Sequence, residues 1–177
     1  MSDLLILVDK KDKIKGYKEK EPCHTHPTVL HRAFSIFIFN SGGKMLIHKR
    51  AGGKKTWPNF WTNSCCSHPR KGETTQQAAN RRLKEELGIN CKLKYLFKFC
   101  YKAKYDSKYG EYELDHVFVS RCNKKPKINR REIASIKYVS VPALMKDVKK
   151  NPKKYTPWFK IALPKVVAYA KKHNLSE

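Results

Sequence analysis

The stretch "GETTQQAANRRLKEELGI", residues 72–89, carries the clearest helix signal in the sequence. Thr74 can accept hydrogen bonds as an N-cap, and Gly88 can adopt the left-handed backbone conformation that ends many helices. Between these two residues, apolar side chains recur every four positions, at Ala79, Leu83 and Leu87. This spacing predicts an amphipathic helix whose apolar stripe packs against a core.

Runs with strand-like composition lie on both sides of this helix. Three of them precede it, at residues 4–9, 33–40 and 44–50. The "SGG" between the last two predicts a hairpin turn. Three more follow the helix, at residues 92–105, 111–122 and 136–141. The strands therefore form two groups, separated by the helix.

Two helices are predicted near the C-terminal end. The first spans residues 142–151, and the second begins with Thr156 as N-cap and Pro157 at the first helical position. Pro164 predicts a kink or an interruption, because proline lacks the N–H that a helix interior uses. The order of elements predicts an α+β fold of mixed β-sheets sandwiched between helices, formed by a single domain of residues 1–177.

The composition is that of a globular protein. Apolar residues make up 40% of the 177 residues, which argues against disorder. The most apolar stretch, "AFSIFIF", is strand-sized, so no membrane insertion is expected. "MSDLLILVDKKDK" has too short an apolar run for a secretory signal, so we expect a cytoplasmic protein with reduced thiols. Its six cysteines are accordingly expected to be unpaired: Cys23, Cys65, Cys66, Cys91, Cys100 and Cys122.

The net charge of +24 is unusual for a chain of this size. A positive field attracts nucleic acid, acidic membranes or phosphorylated metabolites. The lysines are spread from Lys10 to Lys172, so a basic solvated surface explains the charge without any partner. A basic nucleic-acid-binding domain is one alternative. However, no nucleic-acid motif or continuous basic stripe is present, and we expect no specific nucleic-acid partner.

Histidines and glutamates from separate segments could form a metal site. Glu111 and Glu113 share one face of a predicted strand, where two carboxylates repel unless a cation or a proton separates them. His24 and His31 lie seven residues apart. Pro27 between these histidines indicates a loop that could turn both side chains inward.

The stretch "TNSCCSHP", residues 62–69, adds another histidine and two cysteines. If it is extended, Cys66 and His68 share a face and Cys65 points the other way. No other cysteine has the spacing of a structural zinc site, so the pair is either two buried thiols or a reactive thiol beside a metal ligand. The candidate ligands are His24, His31, His68, Glu111 and Glu113. Three imidazoles and two carboxylates suit a divalent ion such as Mg²⁺, Mn²⁺ or Zn²⁺.

The 72–89 helix resembles the Nudix box, a loop–helix–loop whose glutamates bind Mg²⁺ on a diphosphate. The resemblance rests on four charged residues and the glycine stop: Glu73, Arg81, Glu85, Glu86 and Gly88. Arg82 stands where the catalytic box has Glu, and Ser67 where it has the leading Gly. The missing carboxylate argues against hydrolysis. A Nudix pyrophosphohydrolase acting on a nucleotide is nevertheless the nearest alternative.

Five segments, in order, are similar to the type 1 isopentenyl diphosphate isomerase family, whose Nudix-fold members leave the diphosphate intact. These are "CHTHPTVLHRAFSIFIFN", "WTNSCCSHP", "RRLKEELGI", "GEYELDH" and "TPWFKI", and the match covers residues 17–163. The resemblance implies interconversion of isopentenyl and dimethylallyl diphosphate through a tertiary carbocation. We therefore expect a small-molecule diphosphate substrate, and a monomer or weak homodimer.

The resemblance also implies roles for individual residues. Cys66 matches the catalytic cysteine, and Glu113 would be both proton carrier and metal ligand. The three histidines and two glutamates named above would bind one divalent metal, and Glu86 would help hold a second ion, Mg²⁺, on the substrate diphosphate. Contacts to the diphosphate are implied for Lys20, Arg50, Lys54 and Ser67. Aromatic walls for the carbocation are implied for Tyr101 and Trp158.

Overall fold

The computed structural model describes residues 4–176. The strands are β1 Leu4–Val8, β2 Ile14–Glu19, β3 His31–Phe39, β4 Met45–Arg50, β5 Trp61–Thr62, β6 Cys65–Ser67, β7 Lys94–Lys104, β8 Gly110–Arg121 and β9 Ile133–Val139. The helices are α1 Lys20–His24, α2 Thr75–Leu87, α3 Val141–Lys150 and α4 Pro157–Lys172, with a 3₁₀ turn at Pro152–Lys154. All six predicted strands and all three predicted helices are present, with boundaries shifted by a few residues.

Strand β3 lies at the centre of the sheet. It pairs in parallel with β8, from His31 opposite Glu113 to Phe39 opposite Arg121. Its other edge pairs antiparallel with β1, β6 and β4. β7 extends the sheet beyond β8, and β9 and β5 extend it beyond β4. The predicted β3–β4 hairpin is thus confirmed, although the main partner of β3 is the distant β8.

Two apolar layers cover the two faces of β3, because its side chains alternate between the faces. Phe37 and Phe39 belong to the layer formed with α3 and α4. Phe34, Ile36 and Ile38 belong to the layer formed with α2. Burial on both faces explains why β3 is almost continuously apolar. The predicted arrangement, a mixed sheet between helices, is confirmed.

Helix α2 begins and ends as predicted. The Thr74 hydroxyl accepts a hydrogen bond from Gln77 N at 3.2 Å, and the Gln77 side chain accepts one from Thr74 N at 2.9 Å. This reciprocal capping box satisfies two backbone donors of the first turn. Gly88 ends the helix with a φ of 65°, and a Cβ at this position would lie 3.0 Å from the carbonyl oxygen of Lys127. Backbone conformation and space both favour glycine here.

Helix α4 differs from expectation in two details. Thr156 occupies the N-cap position, but its hydroxyl bonds the Thr62 hydroxyl at 2.8 Å instead of capping a backbone N–H. Of the two outcomes predicted for Pro164, an interruption is wrong, since α4 runs unbroken from Pro157 to Lys172, and a kink stays a prediction. Leu163 and Val166, on either side of this proline, are buried in the core. We attribute the continuity to this packing, which outweighs the loss of one backbone hydrogen bond.

The sequence pattern does not predict four short elements. β2 is largely exposed and has no apolar alternation. β5 and β6 contain only two and three residues, and α1 only five, too few to produce a periodic pattern. Among residues 4–176, no helix is long and apolar enough to cross a membrane.

The prediction that all cysteines are unpaired is wrong for one pair. Cys91 and Cys122 form a disulfide, with their Cα atoms 6.2 Å apart. The segment after α2 runs beside the end of β8, where the Ser120 hydroxyl donates to Lys92 O at 2.9 Å. This neighbourhood places two cysteines, distant in sequence, within bonding range. The remaining thiols are free: Cys23, Cys65, Cys66 and Cys100.

Candidate active site

A cavity of about 400 Å³ opens beside the ends of β3, β6 and β8. It contains most of the residues that the sequence predicts for the site. Its walls include cations, a thiol, a carboxylate and an aromatic ring, contributed by Lys20, Arg50, Lys54, Cys66, Glu113 and Trp158. Ser67, His24, His68 and Glu111 also line this cavity. The fold therefore gathers side chains from five regions of the chain around one space.

The five predicted metal ligands form one cluster, with ligand atoms all within 4.8 Å of one another. The ligands lie at or near the ends of α1, β3, β6 and β8. His24 ends α1, His31 begins β3 directly opposite Glu113 of β8, and His68 follows β6. Glu111 precedes Glu113 by two residues on β8, so both carboxylates share one face. The three imidazole rings have centroids 4.7 to 5.0 Å apart.

Backbone carbonyls fix the orientation of two imidazoles. His24 Nδ1 lies 2.6 Å from Lys20 O, and His31 Nδ1 lies 2.8 Å from Val29 O. A carbonyl can only accept, so each Nδ1 is the donor in its contact. These Nε2 atoms face carboxylates, His24 at 2.9 Å from Glu111 and His31 at 3.6 Å from Glu113. This is the outer hydrogen-bonding pattern of metal-binding histidines.

The contacts within the cluster indicate that it can hold a divalent cation. His31 Nε2 is buried and has no hydrogen-bond partner within residues 4–176. The carboxylates of Glu111 and Glu113 face the same small space. A cation bound there would give His31 Nε2 a partner and would offset the repulsion between the two carboxylates. A set of three imidazoles and two carboxylates can hold a divalent ion.

Cys66 faces the cavity, whereas Cys65 packs in the layer under α2. This confirms the predicted alternation along β6. Burial raises the pKa of the Cys66 thiol to about 12, although the positive charge of Arg50 opposes that rise. Arg50 Nη1 lies 3.9 Å from Cys66 Sγ. The thiol is therefore protonated at neutral pH.

Glu113 is bonded on both carboxylate oxygens. His68 Nε2 lies 2.7 Å from Oε1, and the Tyr101 hydroxyl donates to Oε2 at 2.5 Å. Burial alone would raise the pKa of Glu113, but the neighbouring His31, Tyr101 and His24 together outweigh burial and lower it. Glu113 is accordingly ionised at neutral pH. A protonated thiol and an ionised carboxylate thus line one cavity.

The cationic end of the cavity is held by backbone and side-chain contacts. Arg50 donates to Trp57 O at 3.1 Å and to Thr56 O at 2.9 Å, which fixes its guanidinium. Burial, together with the charge of Lys54, lowers the pKa of Lys20. Lys20, Arg50, Lys54 and Ser67, for which contacts to the diphosphate are expected, all line the cavity.

The predicted aromatic residues contact the site in different ways. Trp158 lines the cavity, and the Arg50 guanidinium carbon lies 5.3 Å from the centre of its ring. Tyr101 lies beside Trp158, with ring centroids 6.2 Å apart, and reaches the site through its bond to Glu113. Trp57 packs edge-on against Trp158 at 5.5 Å.

Comparisons with known proteins agree with this geometry. Residues 29–159 match the NUDIX domain. An isopentenyl-diphosphate Delta-isomerase 2 of Photorhabdus laumondii is 45% identical over 90% of this chain and 90% of its own length. The enzyme of the same name from Aromatoleum aromaticum is 40% identical over 95% and 88%, respectively. The chain belongs to the isopentenyl-diphosphate Delta-isomerase family.

Solved structures share the fold of this chain. The crystal structure of a MutT protein from Methanosarcina mazei Go1 matches with a TM-score of 0.66, covering 80% of this chain and 96% of that chain. Its sequence identity of 15% supports a common fold alone. The predicted Nudix-type fold and the resemblance to type 1 isomerases are both confirmed.

Glu86, the family position expected to hold Mg²⁺ on the diphosphate, lies outside the five-residue cluster. It is 3% exposed and accepts two hydrogen bonds from Arg82, at 3.0 Å from Nε and 2.5 Å from Nη2. Burial raises the pKa of Glu86, whereas the charge of Arg82 opposes this rise. In the structure this carboxylate is thus paired with an arginine.

Two site residues are not predicted from the sequence. The Thr56 hydroxyl donates to Glu111 Oε1 at 2.8 Å and so orients a metal ligand. Arg82 lines the cavity beside Lys54. The sequence does mark Arg82, because it stands on α2 at the position where the catalytic Nudix box has Glu. An arginine is itself a binding group for phosphates, so the replacement indicates anion binding as well as the absence of hydrolysis. Thr56 has no comparable signal, because its contact spans 55 residues of sequence.

Proposed function

We propose that this chain interconverts isopentenyl diphosphate and dimethylallyl diphosphate in a metal-dependent reaction. One observation carries the proposal: a thiol and a carboxylate, Cys66 and Glu113, line the same cavity, whose other walls include several cations. The family relatives bear the isomerase name. A cytoplasmic location and a monomeric or weakly dimeric state stay predictions from the sequence.

The cationic end takes the diphosphate. Lys20, Arg50 and Lys54 supply positive charge, and the Ser67 hydroxyl supplies a donor, which together match the acceptors of a diphosphate. Arg50 adds geometric restraint, because its guanidinium is already fixed by two backbone carbonyls. The hydrocarbon tail then extends towards Cys66, Glu113 and Trp158.

Moving the double bond requires a proton to be added at one carbon and another to be removed two carbons away. Cys66 and Glu113 come from different strands, β6 and β8, and can act from opposite sides of a flat alkene. One of them holds a proton and the other accepts one. Because the reaction is reversible, the two residues exchange roles with its direction. Tyr101 fixes Glu113 while the proton moves.

The carbocation formed on the substrate must be kept from water, which would trap it as an alcohol. Trp158 contributes an electron-rich face to the cavity and is 4% exposed. Such a face stabilises a desolvated cation by about 2 kcal/mol. Trp57 and Tyr101 pack around Trp158 and keep its ring in place.

One divalent metal would be held by His24, His31, His68, Glu111 and Glu113. When bound, the ion supplies the positive charge that lets Glu111 and Glu113 stay ionised side by side. Mg²⁺, Mn²⁺ and Zn²⁺ all suit the donor set. A second ion, Mg²⁺ on the substrate diphosphate, is assigned to Glu86 from its position in the family helix.

The test is a proton NMR time course in D₂O with isopentenyl diphosphate, Mg²⁺ and purified protein, with and without a chelator. We expect the alkene to shift to the dimethylallyl isomer, with deuterium entering the carbon skeleton and the diphosphate intact. Release of phosphate or diphosphate would replace this proposal with a Nudix hydrolase. No reaction in the presence of metal would contradict it, and salt-resistant binding of nucleic acid would then favour the basic binding domain.

A further inference from the structure

Glu132 is a carboxylate at the cationic end of the cavity that the proposed mechanism does not use. Its two oxygens bind two different cations. Lys54 Nζ lies 2.6 Å from Oε2, and Arg82 Nη2 lies 3.0 Å from Oε1. Lys54 and Arg82 both line the main cavity, whereas Glu132 lines a smaller neighbouring cavity of about 110 Å³. The carboxylate therefore holds the two cations without filling the space they face.

The backbone around Glu132 is tied to the elements that carry these cations. Ala51 N, just after β4, donates to Glu132 O at 3.0 Å. Asn129 N donates to Glu86 O of α2 at 2.9 Å, and Glu132 N donates to Asn129 O at 3.0 Å. The carboxylate thus has a fixed position relative to both α2 and the end of β4. Burial opposes its charge, but the charges and hydrogen bonds of Lys54 and Arg82 together outweigh burial and lower the pKa of Glu132 to about 2.

We propose that Glu132 is a positioning residue that holds Lys54 and Arg82 at a fixed separation for the substrate diphosphate. Lysine is long and flexible, so an unbound ammonium loses conformational freedom when it binds phosphate, and a restrained one loses less. Two of the three donors of the Lys54 ammonium stay available beside Glu132. This inference rests on the proposed function, since it assumes a diphosphate in the main cavity.

A purely electrostatic effect predicts the opposite sign. If Glu132 only neutralised positive charge, its removal would strengthen the attraction of the site for an anion. If it positions the cations, its removal weakens binding although the net charge becomes more positive. Anion affinity therefore distinguishes the two roles.

The experiment measures binding of inorganic pyrophosphate by calorimetry, together with steady-state kinetics on isopentenyl diphosphate. For Glu132→Gln we expect the Kd for pyrophosphate and the KM to rise about tenfold, with kcat within about threefold of wild type. Glu132→Asp, which keeps the charge, should recover part of the affinity. Asp12→Asn is the matched control, because Asp12 also pairs with one arginine and one lysine, Arg32 and Lys98, away from the lining of the main cavity.

A double-mutant cycle shows whether the effect passes through Lys54. In a Lys54→Gln background, Glu132→Gln should raise the pyrophosphate Kd by less than about threefold. Unchanged or tighter pyrophosphate binding by folded Glu132→Gln, or an equal loss in both backgrounds, would overturn the inference. Pyrophosphate binding tests this role even if the wild-type protein does not isomerise isopentenyl diphosphate, so the two proposals can fail separately.

Discussion

Tyr101 and Glu113 lie directly opposite each other on β7 and β8, and the Tyr101 hydroxyl donates to Glu113 Oε2 at 2.5 Å. Oε1 of the same carboxylate faces His68 and His31. One side chain thus joins the metal cluster to the aromatic wall of the cavity. The carboxylate cannot rotate without breaking a contact on one of these sides.

Replacing the tyrosine tests this arrangement. Tyr101→Phe removes one hydrogen bond to a charged group, so kcat should fall about tenfold to a hundredfold while metal binding is retained. The alkene NMR assay measures kcat. Tyr138→Phe on β9 is the matched control, and equal rates for the two variants would contradict the role of Tyr101.

The neighbouring cysteines should respond differently to the same substitution. Cys66→Ala removes a proton-transfer group, and turnover should fall about 10²- to 10⁴-fold with little change in the melting temperature. Cys65→Ala leaves turnover unchanged and lowers the free energy of unfolding by about 1 kcal/mol, because Cys65 is fully buried under α2. Turnover and thermal unfolding measured on both variants check this. Full activity of Cys66→Ala would overturn the proposed mechanism.

Divalent metal should stabilise the folded chain through the histidine cluster. An ion present at a hundred times its Kd adds about 2.7 kcal/mol to the free energy of unfolding, because the assembled site exists only in the folded state. We expect metal-stripped protein to gain thermal stability on addition of Mg²⁺, Mn²⁺ or Zn²⁺. In His24→Asn this gain should be lost, and in His173→Gln, at the end of α4, it should persist. Equal gains in thermal stability for the two variants would show that the ion binds outside the histidine cluster.

His48 should contribute to the acid sensitivity of the fold. It is buried with Nδ1 donating to Ser64 O at 3.1 Å, and burial lowers its pKa to about 3. As the pH falls below 6.5, His48 becomes protonated in the unfolded chain, whereas in the folded chain it stays neutral down to about pH 3. The free energy of unfolding therefore decreases as the pH falls through this window.

The slope of this loss reaches about 1.4 kcal/mol per pH unit for one group. His48→Asn keeps an N–H donor but cannot be protonated in this range, so its stability should fall less steeply between pH 6 and pH 4. Urea unfolding of both proteins at several pH values measures the difference. Parallel pH profiles would exclude His48 as a contributor.

The sequence predicts the parts of this protein that leave a repeating pattern or a family motif. Helix α2 follows from its apolar stripe and caps, and the cluster of ligands follows from the family resemblance. The Cys91–Cys122 disulfide and the Thr56–Glu111 bond depend on which distant segments become neighbours, and no local pattern records this. Pro164 shows the converse, since a strong local signal for interruption is outweighed by tertiary packing.

The parallel pairing of β3 with β8 also bears on how the chain folds. His31 and Glu113 become neighbours only when segments more than eighty residues apart have met. Closing so long a loop costs entropy before any contact offsets it, which slows folding of such topologies. The ligand cluster is therefore complete only once β3 and β8 have paired. A metal ion that binds during refolding would report that this pairing has formed.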